Sequence, residues 1–289
     1  MNWKIVGIVT VSVLCVIGMG ATGWAGYRIL RALWFPEGGR ALAMNRALCN
    51  SKDPKTSVAG CTAILNAKES QLADRTFARF QRGLAYERLG DFDHAIEDDS
   101  AVLQDNPREA MAYNNRGFAY QRKGDLDHAL MDYDHALQLV PELSMAWFNR
   151  GETHRLKGDY LGAIEDFSRV IKLQPKDPVA WNNRCYYRAI AGQLDEALAD
   201  CNRSLQLKPG VAYVLDSRGF TYLKMKKYDL AIKDYDQAIA KNDRDAAYFY
   251  GRGLARQAMH DSTGANSDIA AALKIDPGIV QKFKKFGVS

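Results

Sequence analysis

Six arginines recur at a constant spacing of 34 residues, each next to a small residue and among apolar neighbours. They are Arg82, Arg116, Arg150, Arg184, Arg218 and Arg252. An acid follows each of them sixteen positions later, at Asp98, Asp132, Asp166, Asp200, Asp234 and Asp268. A basic stripe could bind phosphate or an acidic peptide, but acids at the same period would neutralise it. We therefore expect arginine–aspartate ion pairs inside the fold.

A strict period of this length predicts a solenoid of helix–turn–helix units. "GD" at 90–91, 124–125 and 158–159 places a glycine after one helix and an aspartate before the next. A proline near the end of most units terminates the second helix. The fold class is therefore all-α. The predicted units are 76–109, 110–143, 144–177, 178–211, 212–245 and 246–279.

These units resemble the tetratricopeptide repeat family in several matched positions. Position 8 is Gly83, Gly117, Gly151, Gly219 and Gly253, position 20 is always alanine, and position 32 is Pro107, Pro141, Pro175, Pro209 and Pro277. The resemblance covers residues 76–279, with residues 42–75 as a degenerate first repeat. It implies a right-handed α-solenoid whose first helices line a concave, ligand-binding surface.

The charged positions depart from the family pattern, which usually has leucine at position 7 and an aromatic residue at position 23. In the degenerate repeat these positions are Leu48 and Ile64, so both charges are absent there together. We expect the ion pairs of the other six repeats to fix how the repeats stack.

The resemblance places positions 2, 5, 6, 9, 12 and 13 of each first helix on the concave surface. The candidate groove residues are Asn115, Asn149, Asn183, Phe118, Tyr186, Phe220, Arg122 and Arg155. Asparagine amides can hydrogen-bond an extended peptide backbone without distinguishing its sequence. The family's clamp for acidic chaperone tails needs lysine at position 5 and asparagine at position 9, and this chain has neither. We expect an extended, partly apolar peptide segment as the ligand.

The N-terminal segment 1–35 contains an uncharged run, residues 5–27, that is long enough to cross a bilayer as a helix. Aromatic residues and arginines follow the run, as at a membrane interface. We expect a single-pass transmembrane anchor, a linker at 36–41 and repeats outside the cytoplasm, in the periplasm of a bacterium. A cleaved signal peptide with soluble periplasmic repeats is one alternative. The arginines after the run favour another, in which the repeats face the cytoplasm.

Four cysteines outside the N-terminal run form two pairs, Cys49 with Cys61 and Cys185 with Cys201. Each pair would bridge the two helices of one repeat, at a Cα separation that a disulfide can span. Disulfides would suit the oxidising side of a membrane, whereas four reduced, buried thiols would suit the cytosol.

Other chemistries find little support in the sequence. His128, Asp132 and His135 could share a helical face, but Asp132 already has an expected arginine partner, so we expect no metal site. Catalytic and phosphate-binding motifs are absent, no cofactor is expected, and the net charge of +5 predicts no nucleic-acid partner. We expect a non-enzymatic, membrane-tethered scaffold for another protein, with residues 280–289 as a cap. The alternative is a self-associating structural or envelope-assembly factor.

Overall fold

The computed structural model describes residues 37–288, which contain fifteen helices and no strand. The helices are α1 Glu37–Cys49, α2 Pro54–Asn66, α3 Leu72–Leu89, α4 Phe92–Asp105, α5 Ala110–Lys123, α6 Leu126–Leu139, α7 Ser144–Lys157, α8 Tyr160–Leu173, α9 Pro178–Ile190, α10 Leu194–Leu207, α11 Ala212–Lys224, α12 Tyr228–Lys241, α13 Ala246–Ala258, α14 Ser262–Ile275 and α15 Ile279–Lys285.

The helix ends follow from the turn motifs. Gly90, Gly124 and Gly158 end first helices in the left-handed conformation, with a positive φ that glycine adopts without a steric penalty. The next residue is an aspartate whose carboxylate accepts a hydrogen bond from the backbone of the second helix, as Asp159 does from the Gly162 N–H at 3.0 Å. Each turn therefore reverses the chain within a few residues, and the two helices of a pair lie side by side.

The chain divides into two compact units, 1–107 and 108–289. In the described part of the first unit, α1, α2 and α3 each pack against the helix that follows, and α1 also contacts α3. The second unit contains the pairs α5–α6, α7–α8, α9–α10, α11–α12 and α13–α14, followed by α15. Its first helices also contact one another, α5 with α7, α9 with α11, and α11 with α13. We call the surface formed by α5, α7, α9, α11 and α13 the first-helix face.

The contact between the helices of a pair explains the small residue at position 8. A Cβ atom added to Gly151 would lie 3.0 Å from the Phe167 ring, and one added to Gly117 would lie 2.9 Å from the Tyr133 ring. The backbone of the alanine at position 20 also lies close. The carbonyl oxygen of Ala129, for example, is 3.2 Å from the Cβ position of Gly117. In three of the five pairs that have this glycine, those of Gly117, Gly151 and Gly219, the nearest group is the aromatic ring at position 24, which the repeat pattern alone did not indicate.

The linker expected at 36–41 is wrong, because α1 already begins at residue 37. Glycine disfavours a helix only modestly, and the apolar residues further along α1 pack against α2. The anchor predicted at 5–27 lies outside the described residues. Between residues 37 and 288, none of the helices combines the length and the apolar character needed to span a bilayer.

Candidate functional site

Each of the six arginines donates two hydrogen bonds to the carboxylate of its aspartate, through Nε and Nη2, at 2.6 to 3.0 Å. The arginine lies on the first helix and the aspartate on the second helix of the same pair. In the pair Arg150–Asp166, the side chains are only 18% and 1% exposed. Each of these bidentate, partly desolvated pairs joins the two helices of its repeat.

Several of these arginines also reach the preceding helix pair. The remaining nitrogen, Nη1, of Arg150 donates to Asp134 at 2.5 Å, that of Arg184 to Ser168 at 3.0 Å, and that of Arg218 to Asn202 at 2.9 Å. These acceptors all occupy position 25 of the previous repeat, as does Asp236, which accepts from Arg252 at 2.6 Å. Sequence analysis missed this position, although a polar residue recurs there with the period of the repeat.

An aromatic ring lies beside each of the six guanidinium groups. The guanidinium carbon of Arg150 is 4.6 Å from the centre of the Trp147 ring, and that of Arg184 is 5.0 Å from the Trp181 ring. Hydrogen bonding to Asp132 raises the pKa of Arg116, and burial raises the pKa of Asp166. Each of the six arginines is therefore paired with an aspartate of its own repeat and lies beside a ring.

The three groove asparagines behave differently from one another. The Asn149 amide nitrogen donates to Asn114 Oδ1 at 3.1 Å, and that of Asn183 donates to Glu152 Oε1 at 3.4 Å. Asn115 is only 4% exposed, and its amide nitrogen has no hydrogen-bond partner within the described residues. Two of the three amide nitrogens therefore bridge neighbouring first helices and the third is buried, so the binding role expected of these asparagines stays a prediction.

The α5–α7 part of the first-helix face remains open. Arg122 is exposed and lies over the half-buried Phe118 ring, with its guanidinium carbon 5.8 Å from the ring centre. Arg155 is half-buried and donates to Glu152 at 2.9 Å. We name this part the polar half of the face, and it offers charged groups, amides and one aromatic ring.

The α9–α13 part, which we name the aromatic half of the face, is covered by the chain itself. Its rings, Tyr186, Phe220 and Tyr250, contact two side chains of the tail, which we define as residues 279–288. The Phe283 ring lies 4.8 Å from Tyr250 and 5.8 Å from Phe220, centre to centre. The Phe286 ring lies 6.1 Å from Tyr186. Phe220 is consequently 2% exposed, so the prediction that Tyr186 and Phe220 line an open groove requires correction.

The tail therefore differs from the cap that was expected at 280–289. Phe286 reaches the ring of Tyr160, far back along the chain on α8, at 6.3 Å. Lys224 Nζ donates to the carbonyl oxygen of Phe286 at 3.1 Å, and burial lowers the pKa of this lysine. Gly287, whose φ is positive, turns the chain so that Val288 also packs against the core.

The two cysteine pairs lie at disulfide distance, as the sequence indicated. The Cα atoms of Cys49 and Cys61 are 4.5 Å apart, and those of Cys185 and Cys201 are 5.4 Å apart. Cys185 and Cys201 occupy positions 8 and 24, where three other pairs place a glycine against an aromatic ring.

His128 and His135 both have partners within the protein. His128 forms a 2.7 Å hydrogen bond with Asp125, the residue that caps its own helix, while His135 packs against Tyr113. Among residues 37–288, no three histidine, cysteine, aspartate or glutamate side chains are grouped in a way that could hold a metal ion.

A helix pair repeated with the same contacts between its members defines a helical-repeat protein. Models of the tetratricopeptide repeat match residues 110–143 and 144–177, residues 218–278, and residues 78–98. The chain therefore contains tetratricopeptide repeats. No protein of curated function matches it.

Solved structures share this fold. A tetratricopeptide repeat protein from Parabacteroides merdae ATCC 43184 is 19% identical, with a TM-score of 0.65 over 86% of this chain and 98% of that chain. PilW, a widely conserved type IV pilus biogenesis factor, is 19% identical, with a TM-score of 0.61 over 70% and 94%. YrrB, described as a TPR protein with an unusual peptide-binding site, is 20% identical, with a TM-score of 0.52 over 63% and 94%. At these identities the likeness shows the fold alone.

Proposed function

We propose that this protein is a non-enzymatic scaffold that holds a segment of a partner polypeptide on its first-helix face. Tetratricopeptide repeats are typically protein-interaction scaffolds, and the family models that match the chain describe no enzyme. One observation carries the finer proposal. A short segment of this chain, the tail, already binds to that face through two aromatic side chains and one backbone carbonyl.

The polar half of the face supplies the open part of the proposed site. Arg122 and Arg155 provide donors for backbone carbonyls or side-chain carboxylates, and the Phe118 ring provides an apolar contact. Asn149 and Asn183 use their amide nitrogens within the protein, but amide oxygens have a second lone pair that can accept a ligand N–H. A partner segment lying across α5 and α7 would meet these groups in succession.

The membrane anchor at 5–27 and an extracytoplasmic position of the repeats belong to the same proposal. Two cysteine pairs at disulfide distance support the oxidising side of a membrane, because disulfides rarely persist in the cytosol. The alternatives remain a cleaved signal peptide with soluble repeats, and a cytoplasmic orientation, which the arginines after residue 27 favour.

Binding of a partner at the polar half of the face is tested by copurification. The full-length protein carrying Phe118→Ala and Arg122→Ala is purified in mild detergent from membranes of the native host. We expect the double variant to lose a polypeptide that copurifies with the wild-type protein, while its own mass in solution stays the same. Leu161→Ala is the matched control, because Leu161 is 65% exposed and lies on a second helix. Unchanged capture by the double variant would contradict the groove.

Self-association is the other outcome of this experiment. Exposed apolar side chains on second helices, Met131 and Leu161 among them, could pack against another copy of the chain. If Leu161→Ala and Met131→Ala lower the mass in solution while the groove variant leaves it unchanged, the assembly role replaces the groove.

The compartment is tested by differential alkylation of the cysteines in gently lysed cells, followed by mass spectrometry. We expect Cys49 and Cys61 to resist alkylation under denaturing conditions until a reductant is added. Free alkylation of both thiols before reduction would place the repeats in the cytosol.

A further inference from the structure

The tail makes contacts that capping the last helix pair does not require. A cap needs to cover only the exposed side of α13 and α14, which Ile279 begins to do at 4% exposure. Phe286 instead lies against Tyr186 on α9 and Tyr160 on α8. The tail therefore runs along the first-helix face, where a ligand of the repeats would lie.

The face recognises only a few features of the tail. Phe283 and Phe286, three positions apart, point to the same side and insert between the rings of Tyr250, Phe220 and Tyr186. The contact from Lys224 goes to a backbone carbonyl, so it does not depend on the side chain at that position. The lysines between and beside the two phenylalanines, Lys282, Lys284 and Lys285, are exposed.

An open cleft of about 410 Å³ lies beside the last residues of the tail, Gly287 and Val288, and is lined by Leu223, Leu254 and Gln257 among others. A segment longer than the tail could continue from the aromatic rings into this cleft.

We propose that the aromatic half of the face is a binding site for a partner segment with two aromatic side chains three residues apart, and that the tail is its intramolecular competitor. This inference rests on the proposed function, because it specifies the chemistry of the partner segment. The tail supplies the template: two rings on one side of a helical turn, with the backbone carbonyl oxygen of the second aromatic residue within reach of Lys224.

The competition follows from tethering. A segment joined to its site by a short connection has an effective concentration on the order of millimolar. The apparent affinity for an external segment falls in proportion to the fraction of molecules whose site is free. If the tail occupies the site in more than nine of ten molecules, removing its two rings tightens external binding at least about tenfold.

The test uses the full-length protein in detergent and a fluorescent synthetic peptide that corresponds to residues 277–289. Binding is measured by anisotropy for the wild type and for the Phe283→Ala, Phe286→Ala double variant. The matched control is Lys284→Ala with Lys285→Ala, which changes exposed tail residues only. We expect the double variant to bind the peptide at least tenfold more tightly than the wild type or the control. A peptide lacking both phenylalanines should not bind.

Failure of the double variant to bind, with an unchanged circular dichroism spectrum, would show that the tail is a fixed structural element. A wild-type dimer that dissociates in the double variant would show that the occupant is the tail of a second copy. Either result overturns the proposal, while capture of the partner by the polar half could still hold and is measured separately with the Phe118 and Arg122 variant.

If the double variant does not fold, the wild-type protein is tested by hydrogen exchange at millimolar peptide. We expect the peptide to accelerate exchange of the amides of Lys282 and Phe286, because displacement opens α15. The peptide without phenylalanines should leave their exchange unchanged. No acceleration by the peptide would refute the competition.

Discussion

Replacing Arg150 by leucine removes the guanidinium group that joins the two helices of its own pair and links them to the preceding pair. The guanidinium group of Arg150 bonds to Asp166 at 3.0 and 2.7 Å and to Asp134 at 2.5 Å, and it lies 4.6 Å from the centre of the Trp147 ring. Leucine keeps an apolar side chain of moderate size but cannot donate to either carboxylate. The variant therefore leaves Asp166, which is 1% exposed, without its cation.

The expected loss is dominated by the stranded carboxylate. Breaking a buried ion pair by removing one partner costs about 3–5 kcal/mol. His154, whose Nε2 lies 3.9 Å from Asp166 Oδ2, can offset a small part of this loss when it is protonated. Burial already raises the pKa of Asp166, and losing Arg150 raises it further. A carboxyl group whose pKa is higher in the folded state destabilises the folded protein increasingly as the pH rises. The loss of stability caused by the substitution should therefore be smaller at pH 5 than at pH 8.

The assay is urea unfolding of the full-length protein in mild detergent, followed by circular dichroism. With a slope of about 3 kcal/mol per molar urea, the loss lowers the midpoint by about 1–1.7 M. Arg169→Leu is the matched control, because Arg169 lies beside the same Trp147 ring and is exposed. A surface change of this kind should alter stability by less than about 0.5 kcal/mol. Equal midpoints for Arg150→Leu and Arg169→Leu would refute the structural role of the ion pair.

A double variant separates the two parts of the reasoning. Arg150→Leu with Asp166→Tyr restores the leucine and aromatic residue that the tetratricopeptide repeat family usually has at these positions. Because no buried charge is left unpaired, we expect the double variant to recover most of the stability that the single variant loses. If the double variant fails to fold while Arg150→Leu alone folds, the hypothesis that the pair fixes stacking register is wrong.

Three further predictions concern other contacts. Burial, with the nearby Asp245, raises the pKa of Asp216 to about 8. Ionised Asp216 therefore destabilises the folded protein increasingly as the pH rises from about 4 to 8. Asp216→Asn should therefore have a higher urea midpoint than the wild type at pH 8 and the same midpoint at pH 4. Gly151→Val should cost about 1–3 kcal/mol in urea unfolding, because its Cβ would meet the Phe167 ring at 3.0 Å. Reduction with dithiothreitol should lower the stability of the oxidised protein by about 2–4 kcal/mol for each disulfide opened, and an unchanged midpoint would mean that the thiols were already reduced.

The repeat architecture could be predicted from the sequence because its causes are local and periodic. The glycine and aspartate of each turn act over a short stretch of chain, and the same positions recur in unit after unit. The Arg150–Asp166 contact could also be predicted, since both residues share this period. The contact with Asp134 was not predicted, although polar residues recur at its position, because the contact depends on how successive pairs are offset, which the sequence of one repeat does not specify.

The groove was harder to predict for the same reason. Position 9 identified Phe220 as a residue of the first-helix face, but nothing near it in the sequence shows that Phe283 covers it. The contact of Phe286 with Tyr160 joins residues that are far apart in the chain and belong to no repeated pattern. The two aromatic residues in a basic tail were the available signal, and they became informative only with the fold.

The central claim is that the face of the first helices holds a partner polypeptide. Site-specific photo-crosslinking in living cells tests it most directly, with a benzophenone side chain at Leu156 or at Leu161 of the full-length protein. Both leucines are exposed, at 47% and 65%, and belong to the same pair, one at the end of a first helix and one on a second helix. We predict a discrete crosslinked product from position 156 and none from position 161. A product from position 161 alone would contradict the account.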